Sequence, residues 1–199
     1  MKAVRRIAGR GMPLPRRDID TDQIIPSRYL KRIERTGFGE GLFAEWRTDP
    51  GFVLNDPRYA GAEILIAGAN FGCGSSREHA AWALEDHGFR AIVSERFADI
   101  FRGNALKIGL LPVELPAEAV ETLMTAVTAD PTLTIEIDVA SRSLRFGRSR
   151  SSFQLDDHAA ERLLEGLDDI ALTLRSIADI DAYEARRPAY LPTVAVPGR

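Results

Sequence analysis

The middle of the chain constrains the fold most, because short apolar runs alternate there with helical patterns. Residues 63–67, 91–94 and 110–114 have the length and composition of strands that are buried on both faces. Helices are predicted between them, over residues 75–87 and 97–108, and each ends at a glycine. Strands that alternate with helices pair in parallel through crossover connections. This order predicts an α/β fold with a mixed, partly parallel sheet.

The flanking segments predict elements of other kinds. A short strand is expected at residues 3–8, followed by a loop at residues 9–15, where glycines and prolines cluster. Beyond the middle, the pattern predicts a helix, a half-buried strand, an antiparallel hairpin and two helical stretches, at residues 116–129, 132–139, 144–155, 156–165 and 170–187. For a chain of 199 residues, we expect one domain over residues 1–187 and a tail over residues 188–199.

Composition argues against several functions. The 26 Lys and Arg residues against 29 Asp and Glu leave a net charge of -3, with no excess of cations for a nucleic acid. The one cysteine, Cys73, is too few for an internal disulfide or for an iron–sulfur cluster. No apolar run approaches the roughly 20 residues that span a membrane, and the N-terminus lacks the apolar part of a secretory signal. We therefore expect a cytoplasmic protein that binds neither nucleic acid nor membrane.

The strongest chemical signal is a glycine-rich loop that leads into the predicted helix at residue 75. Ser75, Ser76 and Arg77 stand at the start of that helix, where free backbone N–H groups attract anions. An arginine in the first turn opposes the helix dipole unless an anion lies between the two. The planar guanidinium also suits a carboxylate. The segment therefore predicts a site for a carboxylate or a phosphate.

Three other interpretations of these residues remain open. Ser75 and Glu78 fit the capping-box spacing, so the sequence fits a helix-capping role for Ser75 as well as a binding role. The chain would then be an anion-binding domain without catalysis. Cys73, between two glycines before a helix, fits a nucleophile less well, because a catalytic cysteine needs a histidine base. The alternating aspartates at positions 18–22 resemble the start of a calcium loop but lack its glycine and final glutamate, so they are interpreted as turn caps.

Four segments of the chain carry signatures in a fixed order. The central one reads Asn-Phe-Gly-Cys-Gly-Ser-Ser-Arg-Glu-His-Ala, and an earlier one reads Asp-Thr-Asp-Gln-Ile-Ile-Pro. With the other two, they lie at residues 20–39, 70–80, 97–112 and 166–174. Together they resemble the small subunits of bacterial 3-isopropylmalate dehydratase, a family of the aconitase superfamily. The resemblance covers nearly the whole chain.

The resemblance implies a fold, a reaction and a partner. The fold would be the detached swivelling domain of the superfamily, a three-layer β/β/α arrangement. The reaction would be a hydro-lyase step of leucine biosynthesis that interconverts 2-isopropylmalate and 3-isopropylmalate through isopropylmaleate. The chain would form a heterodimer with a large subunit that carries a 4Fe–4S cluster, and would itself bind no cofactor or metal. The alternative is a paralogous subunit that acts on homoaconitate, on citraconate or methylmalate, or on a related diacid.

The resemblance also assigns roles to individual residues. Ser75 would be the catalytic base, acting as an alkoxide. Ser76, Arg77, Asp22 and Thr21 would bind or line the substrate, and the segment Tyr29, Leu30, Lys31 and Arg32 would distinguish substrates by their side group. Leu30 would supply an apolar wall for an isopropyl group, whereas Lys31 and Arg32 would favour an extra carboxylate. Cys73 is interpreted as a packing residue. The chain departs from the expected pattern at Ala69, Ala105 and Ile108.

Overall fold

The computed structural model describes residues 1–31, 36–188 and 190–191. The strands are β1 (Arg6–Leu14), β2 (Ile64–Ala67), β3 (Ala91–Ser94), β4 (Leu111–Glu114), β5 (Thr134–Asp138), β6 (Ser143–Phe146) and β7 (Ser149–Ser152). The helices are α1 (Thr21–Ile24), α2 (Glu78–His87), α3 (Asp99–Ile108), α4 (Ala117–Ala129), α5 (Asp157–Glu165), α6 (Asp169–Leu174) and α7 (Ile177–Ala185). Within these residues, every helix is too short or too polar to cross a membrane.

All seven strands form one mixed sheet in the order β4-β3-β2-β1-β5-β6-β7. β1 to β4 pair in parallel, with α2 and α3 as the crossovers between β2, β3 and β4. β5, β6 and β7 pair as an antiparallel meander, and β5 pairs antiparallel with β1. The predicted α/β class, the mixed sheet and the crossover helices are therefore confirmed.

The prediction of a loop at residues 9–15 is wrong, because β1 continues through these residues to Leu14. Gly11 is needed for close packing, since a Cβ there would lie 2.8 Å from the Cδ1 of Ile135. Pro13 lies beyond the part of β1 that pairs with β5, so its missing N–H removes no bond from that antiparallel ladder. In this segment, glycine and proline are therefore accommodated within a closely packed strand and do not form a turn.

The other boundaries agree more closely with the prediction. The apolar run Ala91–Ser94 is a strand over the predicted residues, and most remaining elements differ by one to three residues at an end. The largest such difference among the helices of the middle region is α2, which begins at Glu78. The division into a domain over residues 1–187 and a tail over residues 188–199 stays a prediction, because most of that tail lies outside the described residues.

Three phenylalanines support the glycine-rich loop after β2. The Phe71 ring meets the rings of Phe97 and Phe101 edge to face, with centroids 6.1 and 5.2 Å away. The backbone joins the cluster as well, because Ala98 donates a hydrogen bond to the Phe71 carbonyl over 3.0 Å. Gly72 follows with φ of 77°, and a Cβ there would lie 2.2 Å from the Cγ of Phe101. The loop thus rests on the start of α3, and this seat requires glycine.

Replacing Gly72 by alanine is therefore expected to lower the free energy of unfolding by about 2–4 kcal/mol, through backbone strain and overpacking. Gly103→Ala is the matched control, because Gly103 lies inside α3 with nothing within 4 Å of a built Cβ. Alanine at that position should stabilise the helix by up to about 1 kcal/mol. Urea unfolding followed by circular dichroism measures both variants. An unchanged midpoint for Gly72→Ala would contradict the packing described here.

Candidate active site

Two loops meet at the carboxyl ends of the parallel strands β1 and β2, where sheets of this kind commonly bind ligands. Backbone hydrogen bonds join them beyond the strands. Gly72 donates to the carbonyl of Ile19 over 2.7 Å, and Thr21 donates to the carbonyl of Cys73 over 2.9 Å. These bonds hold two segments that are distant in sequence at a fixed separation. We call residues 15–22 the first loop and residues 68–77 the second loop.

Ser75 lies at the exposed end of the second loop. Its Oγ is 3.1 Å from the Oγ1 of Thr21, and the same Thr21 hydroxyl donates to the Ser75 carbonyl oxygen over 3.0 Å. α2 begins at Glu78 with Arg77 as its N-cap, and no side chain caps it. The capping interpretation of Ser75 is therefore wrong, because the helix begins beyond the reach of the capping-box pattern. The Ser75 hydroxyl is bound to another hydroxyl and not to the helix end.

Arg77 brings a guanidinium to the start of α2. Its side chain is 21% exposed and forms an ion pair with the carboxylate of Asp22, which is 56% exposed. Two of the predicted substrate-binding residues thus contact each other across the two loops. An ion pair this accessible contributes about 1 kcal/mol or less. A substrate carboxylate can therefore compete with Asp22 for the guanidinium.

A pocket of about 450 Å³ opens beside Arg77. Its lining combines cationic, anionic, hydroxyl, amide, aromatic and apolar side chains, contributed by Leu30, Ser76, Arg77, Glu78, His79, Ile100 and Asn104. A guanidinium and a hydroxyl next to apolar side chains suit a small acid with an alkyl branch. A larger groove of about 790 Å³ lies between the end of β1 and α4. Its lining includes none of the predicted site residues, so we place the candidate site at the smaller pocket.

The four residues predicted to select the substrate have different surroundings. Leu30 lines the pocket. Tyr29 packs over Gly41, where a Cβ would lie 2.8 Å from the tyrosine ring. Lys31 is exposed, and Arg32 lies outside the described residues. Among the described residues of this segment, Leu30 is therefore the one that lines the pocket beside Arg77.

α3 contributes two pocket residues that received no role from the sequence. Ile100 is 55% exposed, although it is a large apolar residue, and Asn104 stands one helical turn further along. Phe101 and Ala105, each the next residue in the chain, are buried in the core. The helical period of the sequence could have predicted that Ile100 and Asn104 share one outward face of α3. Neither residue type, however, signals a particular chemistry without its neighbours.

Neither Cys73 nor His79 has the properties of an activated catalytic group. Burial raises the pKa of the Cys73 thiol, and the nearby carboxylates of Asp20 and Asp18 raise it further. The nucleophile interpretation of Cys73 is therefore disfavoured, because a thiolate is needed. Burial also lowers the pKa of His79, whose ring packs against Phe38 with a centroid distance of 5.2 Å. His79 is thus a neutral aromatic wall of the pocket at neutral pH.

Two of the three positions that depart from the family pattern lie away from the pocket. Ala105 is fully buried in the core, and Ile108 lines a different cavity, with Trp82 and Glu85. Ala69 lies in the second loop, where its carbonyl accepts a hydrogen bond from Asp18 over 2.9 Å. Neither Ala105 nor Ile108 lines the pocket beside Arg77.

The described residues do not fit an iron–sulfur cluster or a metal ion. A 4Fe–4S cluster takes three or four thiolates, and the sequence has Cys73 alone. In the part of the chain that the structure describes, no group of three or more His, Cys, Asp or Glu side chains is arranged to hold a metal. The calcium interpretation of the aspartates at positions 18–22 therefore receives no support. Asp20 instead caps α1, accepting from Gln23 over 2.8 Å.

Comparison with protein families gives two matches on this chain. Residues 1–118 match the aconitase C-terminal domain, and residues 169–194 match the C-terminal domain of the 3-isopropylmalate dehydratase small subunit. The first match covers the parallel part of the sheet and both loops of the candidate site. These matches confirm the predicted aconitase-superfamily fold.

Individual relatives extend the likeness to nearly the full chain. The 3-isopropylmalate dehydratase small subunit of Parafrankia sp. is 63% identical over 195 residues, 98% of this chain and 100% of the relative. The small subunit of Acidothermus cellulolyticus is 59% identical, over 93% of this chain and 94% of the relative. A crystal structure of 3-isopropylmalate dehydratase from Methanocaldococcus jannaschii superposes with a TM-score of 0.68 at 25% identity, covering 89% of this chain and 99% of that one. The chain belongs to the family of 3-isopropylmalate dehydratase small subunits.

Proposed function

We propose that this chain supplies the catalytic base and the carboxylate-binding group of a 3-isopropylmalate dehydratase. One observation carries the assignment of the base. Ser75 is an exposed residue that caps no helix, its hydroxyl is held 3.1 Å from the hydroxyl of the buried Thr21, and it directly precedes Ser76 and Arg77, which line the pocket. A side chain in that position is available to a substrate and is oriented by its neighbour. The same loop places a cation where the substrate carboxylate would lie.

The reaction interconverts 2-isopropylmalate and 3-isopropylmalate by loss and return of water. The Ser75 oxygen takes the proton from the carbon next to a carboxylate, the carbon–carbon double bond of isopropylmaleate forms, and the bond to the neighbouring hydroxyl breaks. When water then adds to the double bond, a proton goes to the carbon that had lost the hydroxyl, and hydroxide adds to the carbon that had lost the proton. A serine hydroxyl is a very weak acid, so the ionised form needs stabilisation by nearby cations and hydrogen-bond donors.

Each neighbouring residue has a distinct task in this proposal. The guanidinium of Arg77 binds a substrate carboxylate through two parallel hydrogen bonds, and the Ser76 hydroxyl adds a third. Asp22 orients Arg77 until the substrate arrives. Leu30 and Ile100, which line the same pocket, contact the isopropyl group. In this proposal the site therefore contacts both the carboxylate and the isopropyl group of the substrate.

The chain needs a partner to complete this reaction. Loss of the substrate hydroxyl as hydroxide is assisted by a Lewis acid, and a 4Fe–4S cluster would supply one. This chain cannot bind such a cluster by itself, because it has only one cysteine. We therefore assign that cluster to the large subunit of a heterodimer, in line with the relatives of this chain, which are named small subunits. The proposed setting is the cytoplasm, with a small diacid as substrate and with neither nucleic acid nor membrane as partner.

Ser75→Ala should lower kcat for isopropylmalate by about 10²–10⁴-fold, the usual effect of losing a general base. The midpoint of unfolding should change little, because Ser75 is exposed and caps no helix. The assay mixes the chain with a cluster-loaded large subunit under anaerobic conditions and follows the absorbance of isopropylmaleate. Ser152→Ala, an exposed serine on β7, is the matched control. Retained turnover in Ser75→Ala would assign the base elsewhere.

Arg77→Lys should lower kcat/KM by about 10-fold to 100-fold, although the positive charge is kept. The reason is geometric, because an ammonium cannot reproduce the two parallel hydrogen bonds of a guanidinium. Arg90→Lys is the matched control, since Arg90 pairs with Glu63 outside the pocket. Steady-state kinetics with the assembled enzyme measures both. Equal kcat/KM for Arg77→Lys and wild type would remove Arg77 from the substrate-binding site.

Leu30→Ala should reduce kcat/KM for isopropylmalate by about 10-fold while leaving the value for citramalate, which lacks the isopropyl group, nearly unchanged. Leu133→Ala is the control, a leucine that is also half-buried against the core but lies next to β5. Homocitrate is offered in parallel, because the exposed Lys31 would favour an extra carboxylate. Faster turnover of homocitrate than of isopropylmalate by the wild type would favour the paralogous hydro-lyase instead.

A further inference from the structure

Thr21 is a buried hydroxyl whose contacts point to a task in the chemistry. It is 1% exposed, whereas the Ser75 side chain beside it faces solvent. Ser94 is a buried hydroxyl of a different kind, because it donates to the carbonyl of Gly68 over 2.7 Å and contacts that of Arg96 over 3.0 Å. Ser94 therefore serves loop structure alone. Thr21 instead contacts the candidate base itself.

The two hydroxyls are arranged so that one set of oxygen positions suits both protonation states of Ser75. The Oγ1 of Thr21 lies 3.0 Å from the Ser75 carbonyl oxygen and 3.1 Å from the Ser75 Oγ. A hydroxyl has one proton to donate and two lone pairs to accept with. While Ser75 is neutral, Thr21 donates to the carbonyl and accepts from the Ser75 hydroxyl. Once Ser75 has lost its proton, the Thr21 proton can turn to the ionised Oγ without movement of either oxygen.

The surroundings hold Thr21 in this place. Its backbone N–H donates to the carbonyl of Cys73 over 2.9 Å, and the helix turn that it begins is closed by the reciprocal bonds of Asp20 and Gln23, at 2.8 and 3.0 Å. A β-branched side chain also has few rotamers to choose from. Gly74 completes the fit with φ of 88°, since a Cβ there would lie 3.3 Å from the Cβ of Asp20. The Thr21 hydroxyl is therefore preorganised toward Ser75.

We propose that Thr21 is a positioning residue that fixes the Ser75 side chain and donates a hydrogen bond to its ionised oxygen. This inference rests on the proposed function, in which Ser75 is the base. It replaces the substrate-binding role that the family resemblance implies for Thr21, because a hydroxyl that is buried and already bound to Ser75 has little access to a ligand in the pocket. Preorganised donors to a developing oxyanion commonly contribute about 10²-fold or more to kcat.

The proposal predicts a change in the pH profile. Loss of a donor to the ionised form raises the pKa of the group that loses the proton. The acid limb of kcat/KM should therefore move to higher pH when the Thr21 hydroxyl is removed. Such a variant keeps the charged and titratable residues of the two loops and of the start of α2, which are Arg16, Arg17, Asp18, Asp20, Asp22, Cys73, Arg77, Glu78 and His79. A difference between variant and wild type then reports the Thr21 hydroxyl.

The test compares Thr21→Val, which keeps the shape and removes the hydroxyl, with Thr21→Ser, which keeps the hydroxyl. Both are assayed as full chains assembled with the cluster-loaded large subunit. For Thr21→Val we expect kcat to fall about 10²-fold with KM within about 3-fold of wild type, and the acid limb to move up by about one pH unit. Thr21→Ser should recover most of kcat and the wild-type acid limb. Ser94→Ala controls for loss of a buried hydroxyl, and should lower stability without moving the limb.

Each other outcome overturns the inference. An unchanged kcat in Thr21→Val removes any role, and a rise in KM alone makes Thr21 a substrate ligand. A fall in kcat with the limb in place, not recovered by Thr21→Ser, makes the residue merely structural. If Thr21→Val does not fold, the limb of Thr21→Ser decides, because a shifted limb in a variant that keeps the donor contradicts the proposal. Turnover that survives Ser75→Ala would instead overturn the proposed function, so the two failures are distinct.

Discussion

The backbone hydrogen bonds between the first and second loops are the constraint on which the candidate site depends. Parallel pairing of β1 and β2 ends at Leu14 and Ala67, yet the carbonyls of Ile19 and Cys73 continue to accept bonds from the opposite loop. Such groups would otherwise be left to water at the end of a sheet. Because they are paired, two stretches separated by some fifty residues in sequence become one rigid surface.

In the proposed function, this surface explains how a weak acid can act as the catalytic base. The chain places Ser75 on a loop whose geometry is set by glycines, by the ring of Phe101 beneath it and by the first loop beside it. Arg77 stands at the N-cap of α2 and Thr21 in the first turn of α1, so different elements hold the cation and the hydroxyl. In the proposed reaction, the fold therefore orients these side chains before the substrate binds, so that little reorganisation is needed at each turnover.

Sequence reasoning succeeded where a local pattern decides the structure and failed where a distant contact does. The strand Ala91–Ser94 was predictable because four buried apolar residues between turn signals leave few alternatives. β1 was not predictable past residue 8, because the need for Gly11 arises from Ile135, far along the chain. The spacing of Ser75 and Glu78 fits a cap, yet α2 starts at Glu78 and the Ser75 hydroxyl contacts Thr21, which is distant in sequence. Motif resemblance identified the loop but not the partner of its serine.

The double pairing of β1 has a consequence for the chain as a whole. Residues Arg6–Arg10 belong to the antiparallel ladder with β5 and residues Gly11–Leu14 to the parallel ladder with β2. A shift of β1 by one residue would turn every side chain to the opposite face in both ladders at once. Neither half of the molecule can therefore shift its alignment along β1 while the other keeps its own. One strand thus fixes the register of both halves of the sheet and carries the first loop at its end.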